Sequence, residues 1–322
     1  MKKILLLLLC TVAMQAAFAD TEVVLSLLKK MANAEKTLNY EGDLVYLHGP
    51  KVETMHIVHA VDQKGERKRV MSKSGDDKEV VMDAQHLFAV MPDAGKILVE
   101  KRRPGQQGRV QFANLYEANE NYEYKLQGKE RIAGKNCQVV SIYPKDNFRF
   151  GYRFSIEEES GLLLKALTQD RAGQIHEQMM YTSVTFPQTI APEKFTATLQ
   201  KDEYQWQESV NATEEGVELP QYKSIWRLQD LPPGFQQVES SQRFIPGTPG
   251  PVEHFVLSDK LVTLSLFISK IEQSNVPLEE GAGRSGSLNI YSVITDNHHI
   301  TVVGAVPKNT IEYIARSLRR DR

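Results

Sequence analysis

A glycine-rich segment near the C-terminus has the spacing of a dinucleotide-binding loop. Residues 281–286 read Gly-Ala-Gly-Arg-Ser-Gly and match the G-x-G-x-x-G pattern, in which glycines let the backbone approach a pyrophosphate. That chemistry needs a strand before the glycines and a helix after them, because the phosphates bind at the helix N-terminus. Here a proline-containing segment, residues 276–280, precedes the glycines, and a strand pattern follows them. We therefore interpret the segment as a flexible loop and predict no nucleotide.

Histidine, cysteine and serine could form a metal site or a nucleophile, but their spacing favours neither. The histidines include no H-x-x-x-H pair, and the separation of His56 and His59 on a predicted strand directs them to opposite faces. Cys137 has no histidine near it in the sequence, so we interpret it as a small buried apolar residue. The sequence therefore predicts a protein that is not an enzyme, with no catalytic residue, metal or cofactor. An exported hydrolase whose residues meet only in the folded chain is the alternative.

Two stretches of the chain concentrate basic residues, which pair with phosphates when they cluster. The first contains Lys64, Arg67, Lys68, Arg69 and Lys73, and the second contains Lys96, Lys101, Arg102, Arg103 and Arg109. We select Arg102 and Arg103 as candidate ligands of an anionic headgroup. The alternative interpretation is that both stretches are solvated strand ends.

An apolar sheet face could hold the acyl chains of such an amphiphile. Residues 148–156 alternate aromatic side chains with arginines and small residues, which predicts a strand with one aromatic and one basic face. The candidate ligand-binding residues for this face are Tyr46, Met55, Phe150, Tyr152 and Phe154. The same residues would serve equally well as ordinary core.

The composition is that of a folded globular protein. The chain has 322 residues, of which 41% are hydrophobic and 25% charged, and its net charge is -2. These values exclude a disordered, collagen-like or polytopic membrane protein. No long basic block is present, so we predict that the chain does not bind nucleic acid.

The N-terminus has the pattern of a cleaved export signal. Lys2 and Lys3 precede an apolar run, and Ala17-Phe18-Ala19 places small residues where a signal peptidase cuts. We predict a signal peptide at residues 1–19 and a mature chain that begins at Asp20. Export would leave Cys137 as the single cysteine, so no disulfide can form within one mature chain.

Periodicity divides the mature chain into two domains. A helical pattern over residues 21–39 changes to strand alternation from Tyr40 onward, with short turns that favour an antiparallel sheet. From Ser224 onward, further strand patterns, two of which predict a hairpin about Asp296-Asn297, end in an amphipathic helix after Pro307. We predict an α+β protein with a β domain at residues 20–200, a linker at 201–222 and an α+β domain at 223–322.

The order and spacing of several segments resemble those of the RseB/MucB family of periplasmic regulators of the sigma factor sigma-E. In the first domain they are residues 38–42, 52–55, 132–137 and 150–153, and in the second they are residues 231–235, 254–259 and 302–307. The resemblance implies that the first domain is an unclosed antiparallel β half-barrel with helices, similar to the lipoprotein carriers LolA and LolB. It implies a smaller α+β domain behind it.

The same resemblance implies a partner, a signal and a location. Members of the family bind the periplasmic part of the anti-sigma factor RseA or MucA and protect it from site-1 proteolysis. The proposed release signals are lipopolysaccharide and mislocalised lipoprotein, so we expect a periplasmic sensor. A periplasmic lipid or lipoprotein carrier is the alternative, although carriers lack the second domain. We expect Arg316, Arg319 and Arg320 to contact the partner, and we leave a homodimer open.

Overall fold

The computed structural model describes residues 2–63, 65–91, 95–101, 120–198, 205–208, 224–243, 250–271 and 279–320. The chain forms two units. The first contains Met1–Lys145 and Gly151–Ser209, and the second contains Asp146–Phe150 and Val210–Arg322. The pentapeptide Asp146–Phe150 therefore belongs to the second unit, although both sequence neighbours of this segment belong to the first.

The described residues of the first unit form a long helix, α1 (Lys2–Thr37), followed by twelve strands. The strands are β1 (Tyr40–His48), β2 (Lys51–Asp62), β3 (Gly65–Ser72), β4 (Glu79–Met82), β5 (His86–Met91), β6 (Lys96–Lys101), β7 (Tyr122–Ile132), β8 (Lys135–Pro144), β9 (Gly151–Glu157), β10 (Leu163–Gln169), β11 (Ile175–Thr185) and β12 (Gln205–Glu208). They form one sheet in the order β12-β6-β5-β4-β3-β2-β1-β11-β10-β9-β8-β7. Every pairing is antiparallel except that of β12 with β6.

The sheet of the first unit is curved. Ile57 on β2 and Ile132 on β7 belong to one buried cluster, although six strand spacings separate β2 from β7 in the sheet. In a flat sheet that separation would be about 29 Å, because neighbouring strands lie about 4.8 Å apart. The sheet must therefore bend around its inner face, and it remains unclosed because β12 and β7 are both edges.

Helix α1 presents one apolar face, as its periodicity predicts. Val24, Leu28 and Met31 are fully buried, at the three- and four-residue spacing of a single helix face. The helix extends without a break from Lys2, so the predicted signal peptide and the predicted first helix form one element.

A strap, residues 187–198, follows β11 and crosses the sheet. Its apolar residues Ile190 and Phe195 pack against Val58 and Ala60 on β2. The strap contains a 3-10 helix at Pro192–Phe195. The periodicity of this stretch fades in the sequence, yet the strap is attached to the first unit, and β12 after it joins the sheet edge. Strand β12 lies inside the segment 201–222 that we predicted as a linker.

In its described residues, the second unit contains a six-stranded antiparallel sheet, a two-stranded sheet and one helix. Its elements are β13 (Trp226–Leu228), β14 (Gln236–Arg243), β15 (Val252–Ser258), β16 (Thr263–Lys270), β17 (Gly281–Ser285), β18 (Leu288–Thr295), β19 (His298–Gly304), α2 (Lys308–Ser317) and β20 (Leu318–Arg320). The larger sheet has the order β14-β15-β16-β19-β18-β17, and β13 pairs with β20. Ile311 and Ile314 on α2 are fully buried. The predicted fold class, α+β with an unclosed antiparallel sheet and a smaller second unit, is confirmed.

Two local predictions for this unit have different outcomes. The turn predicted at Asp296-Asn297 is confirmed, because both residues have positive φ, as a two-residue type I′ hairpin requires. The loop predicted at residues 281–286 is wrong, because Gly281–Ser285 forms strand β17 against β18. The glycines lead into a sheet rather than a helix, which removes the structural basis of a dinucleotide site.

The pentapeptide Asp146–Phe150 is held in the second unit by buried polar contacts. Arg149 Nε lies 2.6 Å from Asp259 Oδ2, and its guanidinium also donates to the carbonyl oxygen of Pro233. The hydroxyl of Thr310 on α2 donates to the carbonyl oxygen of Phe148 at 2.9 Å. The strand predicted at residues 148–156 therefore begins only at Gly151, and the predicted basic face is wrong for Arg149, which is 1% exposed.

Candidate ligand and partner sites

Two of the predicted ligand-binding residues are neighbours on the first sheet. Tyr46 on β1 and Met55 on β2 are half-buried and pack against the cluster that contains Leu44 and Ile57. The Tyr46 hydroxyl donates a hydrogen bond to the Glu177 carboxylate on β11. This part of the sheet therefore combines apolar surface with a paired carboxylate, and the phenol is already bonded within the protein.

The other three predicted aromatic residues do not join them. Tyr152 and Phe154 on β9 are buried, and their rings stack with centroids 5.8 Å apart. Phe150 belongs to the second unit. The structure thus places Tyr46 and Met55 against the same apolar cluster and places Tyr152 and Phe154 in the packed core. The ligand-binding role of all five residues stays a prediction.

Three of the predicted basic residues of the first cluster are paired with carboxylates inside the protein. Arg67 binds Asp62 at 2.5 Å, Lys73 binds Asp43 at 3.1 Å, and Arg69 binds the fully buried Glu79. These cations have partners already, which weakens the case for this cluster as a phosphate site. Arg102 and Arg103 lie outside the described residues, and so does Lys64.

Arg69 and Glu79 attach the strap to the sheet. The Arg69 guanidinium donates to the carbonyl oxygen of Lys194 at 3.1 Å and to the Thr198 hydroxyl at 2.9 Å, while the Thr198 N–H donates to Glu79 at 2.8 Å. The Lys194 ammonium also donates to the Glu41 carboxylate at 2.7 Å. One ion pair, between Lys194 and Glu41, and hydrogen bonds to Arg69 and Glu79 therefore add to the apolar contacts that hold the strap.

A buried polar cluster that the sequence analysis missed lies between α1 and the first sheet. It contains Glu35 on α1, Tyr40 and His59 on neighbouring strands, and Tyr181 on β11. The ring of Tyr40 stacks on His59 with centroids 4.8 Å apart, and its hydroxyl is hydrogen-bonded to Tyr181. Burial raises the pKa of Glu35, of Tyr40 and of Tyr181. Nothing local in the sequence marks this cluster, because its members come from one helix and three strands.

Cys137 on β8 is buried with no exposed surface. Burial raises the pKa of its thiol to about 11, so the thiolate that a nucleophile requires is scarce at neutral pH. The predicted structural role of Cys137 is consistent with both observations.

The three C-terminal arginines are exposed, and the structure adds a fourth beside them. Arg316 in the last turn of α2 hydrogen-bonds the Tyr291 side chain, and Arg319 donates to the carbonyl oxygens of Arg316 and Leu318 at 2.6 and 2.8 Å. Arg320 pairs with Trp226 across the two-stranded sheet, and Arg227 lies directly opposite Arg319. Arginines directly opposite each other repel, which favours a bound anion on this face.

The described part of the chain has neither a metal-binding cluster nor a membrane-spanning helix. There, no group of three or more histidine, cysteine, aspartate and glutamate side chains is arranged to hold a metal ion. Over the same residues, no helix is long and apolar enough to cross a membrane.

Comparison with known proteins covers both units. The model of the MucB/RseB N-terminal domain matches residues 24–199, and that of the MucB/RseB C-terminal domain matches residues 220–319. The sigma factor AlgU regulatory protein MucB of Pseudomonas aeruginosa is 29% identical over 306 residues, which cover 91% of this chain and 89% of that protein. The sigma-E factor regulatory protein RseB of Escherichia coli is 25% identical over 301 residues, with 91% and 90% covered.

A solved structure of similar fold carries a bound partner. The crystal structure of MucB in complex with MucA(peri) superposes with a TM-score of 0.69 at 25% sequence identity and covers 93% of this chain and 99% of that chain. The family models together account for both units and follow the order in which those units occur in the sequence. The chain therefore belongs to the MucB/RseB family.

Proposed function

We propose that this chain is a periplasmic regulator of a sigma-E-type stress response that binds the periplasmic part of an anti-sigma factor. The observation that carries the proposal is the likeness of nearly the whole chain to MucB in complex with MucA(peri). The two curated relatives are both named as sigma-factor regulatory proteins. The activity is binding: the regulator holds the anti-sigma factor and protects it from site-1 proteolysis.

Calorimetry with the mature chain and the periplasmic part of the anti-sigma factor from the same organism tests this proposal. We expect saturable binding with a Kd of about 1 μM or below, which corresponds to about −8 kcal/mol. We also expect the bound anti-sigma factor to be cleaved more slowly by the site-1 protease. Absence of binding at partner concentrations of about 100 μM would refute the proposed function.

Within this function, Arg316, Arg319 and Arg320 are the proposed partner contacts. Exposed arginines near the end of a helix suit an acidic partner segment, because guanidinium groups form charge-assisted hydrogen bonds with carboxylates. Replacing all three with alanine in the full chain should weaken anti-sigma binding, and the loss should shrink at high salt. Equal affinity for the variant and the wild type would remove these residues from the interface.

The signal is a lipid amphiphile, lipopolysaccharide or a lipoprotein acyl chain, that binds the first unit and opposes the anti-sigma factor. Tyr46 and Met55 supply half-buried apolar surface for acyl chains, and Arg102 and Arg103 are the proposed headgroup ligands. Antagonism is a coupling free energy of about 1–3 kcal/mol, so each ligand should weaken the other by the same factor.

Titration of lipopolysaccharide into the preformed complex measures this coupling, with a long-chain detergent as the control for micelles. We expect the anti-sigma affinity to fall, and to fall less in the Arg102→Glu/Arg103→Glu variant. Constant anti-sigma affinity at saturating lipopolysaccharide would refute sensing. A carrier, the alternative function, would bind the lipid and show no affinity for the anti-sigma factor.

A further inference from the structure

Strand β17 is an edge strand in the part of the C-terminal sheet that the structure describes. It pairs with β18 on one side, and all five of its residues are exposed. Its sequence, Gly-Ala-Gly-Arg-Ser, contains no proline and, apart from Arg284, only small residues, and its pairing with β18 has no bulge. An edge of this kind presents unpaired backbone N–H and C=O groups that readily accept another strand.

The other edges of the two large sheets carry features that oppose strand addition. Strand β14, at the opposite edge of the same sheet, has a register shift between Gln237 and Glu239. Strand β7 has one between Leu126 and Lys129 and is rich in charged residues. Strand β12 has only four residues and ends at Glu208. Bulges, charges and short length are the usual means of blocking an edge, and over its five residues β17 has no bulge and a single charged side chain, that of Arg284.

We propose that β17 accepts an extended acidic segment of the anti-sigma factor as a seventh strand of the C-terminal sheet. This inference rests on the proposed function, because the segment is assigned to the anti-sigma partner. Strand addition supplies affinity through main-chain hydrogen bonds, while the flanking side chains supply selectivity.

The charge beside β17 selects an acidic segment. Ala282 lies directly opposite Tyr291, and Tyr291 is hydrogen-bonded to Arg316 of α2. Because alternate residues share a face, Arg284 lies on the same side of the sheet as Ala282 and α2. The Arg319 guanidinium lies against the carbonyl oxygen of Arg316, which adds a further positive charge. Glu312, one turn earlier on α2, offsets one of these charges.

The same charges oppose the pairing of β17 with a second copy of this chain. An antiparallel self-pair centred on Gly283 would place Arg284 of each copy beside Ala282 of the other. It would also bring the arginine-bearing ends of both α2 helices to the same side of the joined sheet. Like charges at that separation repel, whereas carboxylates on a partner strand would be attracted.

Backbone amide exchange on the full chain with and without the anti-sigma periplasmic part tests the inference directly. We expect amides within residues 281–285 to exchange at least about tenfold more slowly in the complex, because the added strand bonds them. Strand β14, the opposite edge, is the internal control and should not change. Binding without protection at 281–285 would overturn the inference while the proposed function stands. Absence of binding would overturn both.

Proline substitutions separate the free edge from the edge paired with β18. Neighbouring residues in a strand direct their N–H groups to opposite edges. Of the variants Ala282→Pro and Gly283→Pro, one therefore removes an N–H donor from the free edge, and the other removes an N–H donor that bonds β18. The free-edge variant should keep the wild-type melting temperature and bind the anti-sigma part about tenfold more weakly. Wild-type affinity in both proline variants would overturn the inference.

Two charge-reversal variants provide a second test if both proline variants are unstable. Arg284→Glu should weaken binding about fivefold at low salt, and less at high salt. Lys308→Glu, at the far end of α2, makes the same change in net charge and should have little effect. Equal losses in these two variants, or a dimer of the free chain that Arg284→Glu disrupts, would overturn the assignment.

Discussion

Replacing Arg149 with methionine tests how the second unit depends on one buried cation. Arg149 and Asp259 are each 1% exposed, and Arg149 Nε lies 2.6 Å from Asp259 Oδ2. The guanidinium also donates to the Asp146 carboxylate and to the Pro233 carbonyl oxygen, and it lies 4.8 Å from the ring centroid of Phe235. Methionine keeps much of the side-chain volume and removes every donor.

The contacts of Arg149 set the size of the expected loss in the free energy of unfolding of the second unit. Removing one partner of a buried ion pair costs about 3–5 kcal/mol, because the other charge stays buried and unpaired. Asp259 Oδ1 also accepts the N–H groups of Leu261 and Val262 at 2.9 and 2.8 Å, which stabilises the carboxylate and favours the lower end, about 3 kcal/mol. A urea m-value of about 2 kcal/mol/M converts this loss into a midpoint about 1.5 M lower.

Tryptophan fluorescence provides the assay. The chain has 2 tryptophans, and Trp226 on β13 of the second unit is 3% exposed. In a Trp206→Phe background, Trp226 becomes the only tryptophan and reports urea unfolding of the second unit. Arg284→Met is the matched control, because Arg284 is an exposed arginine of the same unit, on β17. We expect its free energy of unfolding to change by less than about 0.5 kcal/mol.

A second substitution identifies the cause of the loss. Adding Asp259→Asn to Arg149→Met removes the unpaired charge and keeps an oxygen for the two backbone N–H groups. We expect it to restore about 1–2 kcal/mol. Equal midpoints for Arg149→Met and Arg284→Met, or a further loss of stability on adding Asp259→Asn, would refute the argument from buried charge.

Three further predictions concern single side chains. Burial raises the pKa of Glu253 from 4.5 to about 7, so stability should fall as pH rises from 4.5 to 7. Because Glu253 is partly exposed, we expect the free energy of unfolding to fall by only about 1–2 kcal/mol over this range. Urea unfolding at several pH values should show this fall in the wild type and not in Glu253→Gln. Glu79→Gln leaves the Arg69 guanidinium without its buried carboxylate and should lower the stability of the first unit by about 2–4 kcal/mol in urea unfolding; an unchanged midpoint would contradict this. Cys137 should react with a thiol reagent only after denaturant is added, and rapid labelling of the native chain would contradict its burial.

Features set by local pattern could be predicted from the sequence. The apolar face of α1 follows from the spacing of Val24, Leu28 and Met31, and the turn at Asp296-Asn297 follows from residues that tolerate positive φ. The order of strand and turn patterns was sufficient to predict an antiparallel sheet and a second α+β unit.

Contacts between residues far apart in the sequence could not be predicted. The alternating aromatic pattern around Arg149 predicts that its side chain faces solvent. Its burial could not be predicted because its partner Asp259 lies 110 residues away in the sequence. The strap contains too few apolar residues to show a helical or strand periodicity. Its residue Thr198 bonds Arg69 on β3, which lies 129 residues away in the sequence. The basic cluster around Arg69 likewise appears free in the sequence because its carboxylate partners come from other strands.

The pentapeptide between β8 and β9 constrains the order of events during biosynthesis. Asp146–Phe150 leaves the ribosome well before its partners, and the bond from Asn309 to the Asn147 carbonyl oxygen closes a separation of 162 residues. Chains fold from the N-terminus as they emerge, and long-range closures are slow. The first sheet can therefore assemble early, while Arg149 stays hydrated until Pro233 and Asp259 have been translated and the Phe148 carbonyl oxygen lacks its bond from Thr310 until α2 has been translated. A nascent chain halted before α2 should leave this segment open to proteases.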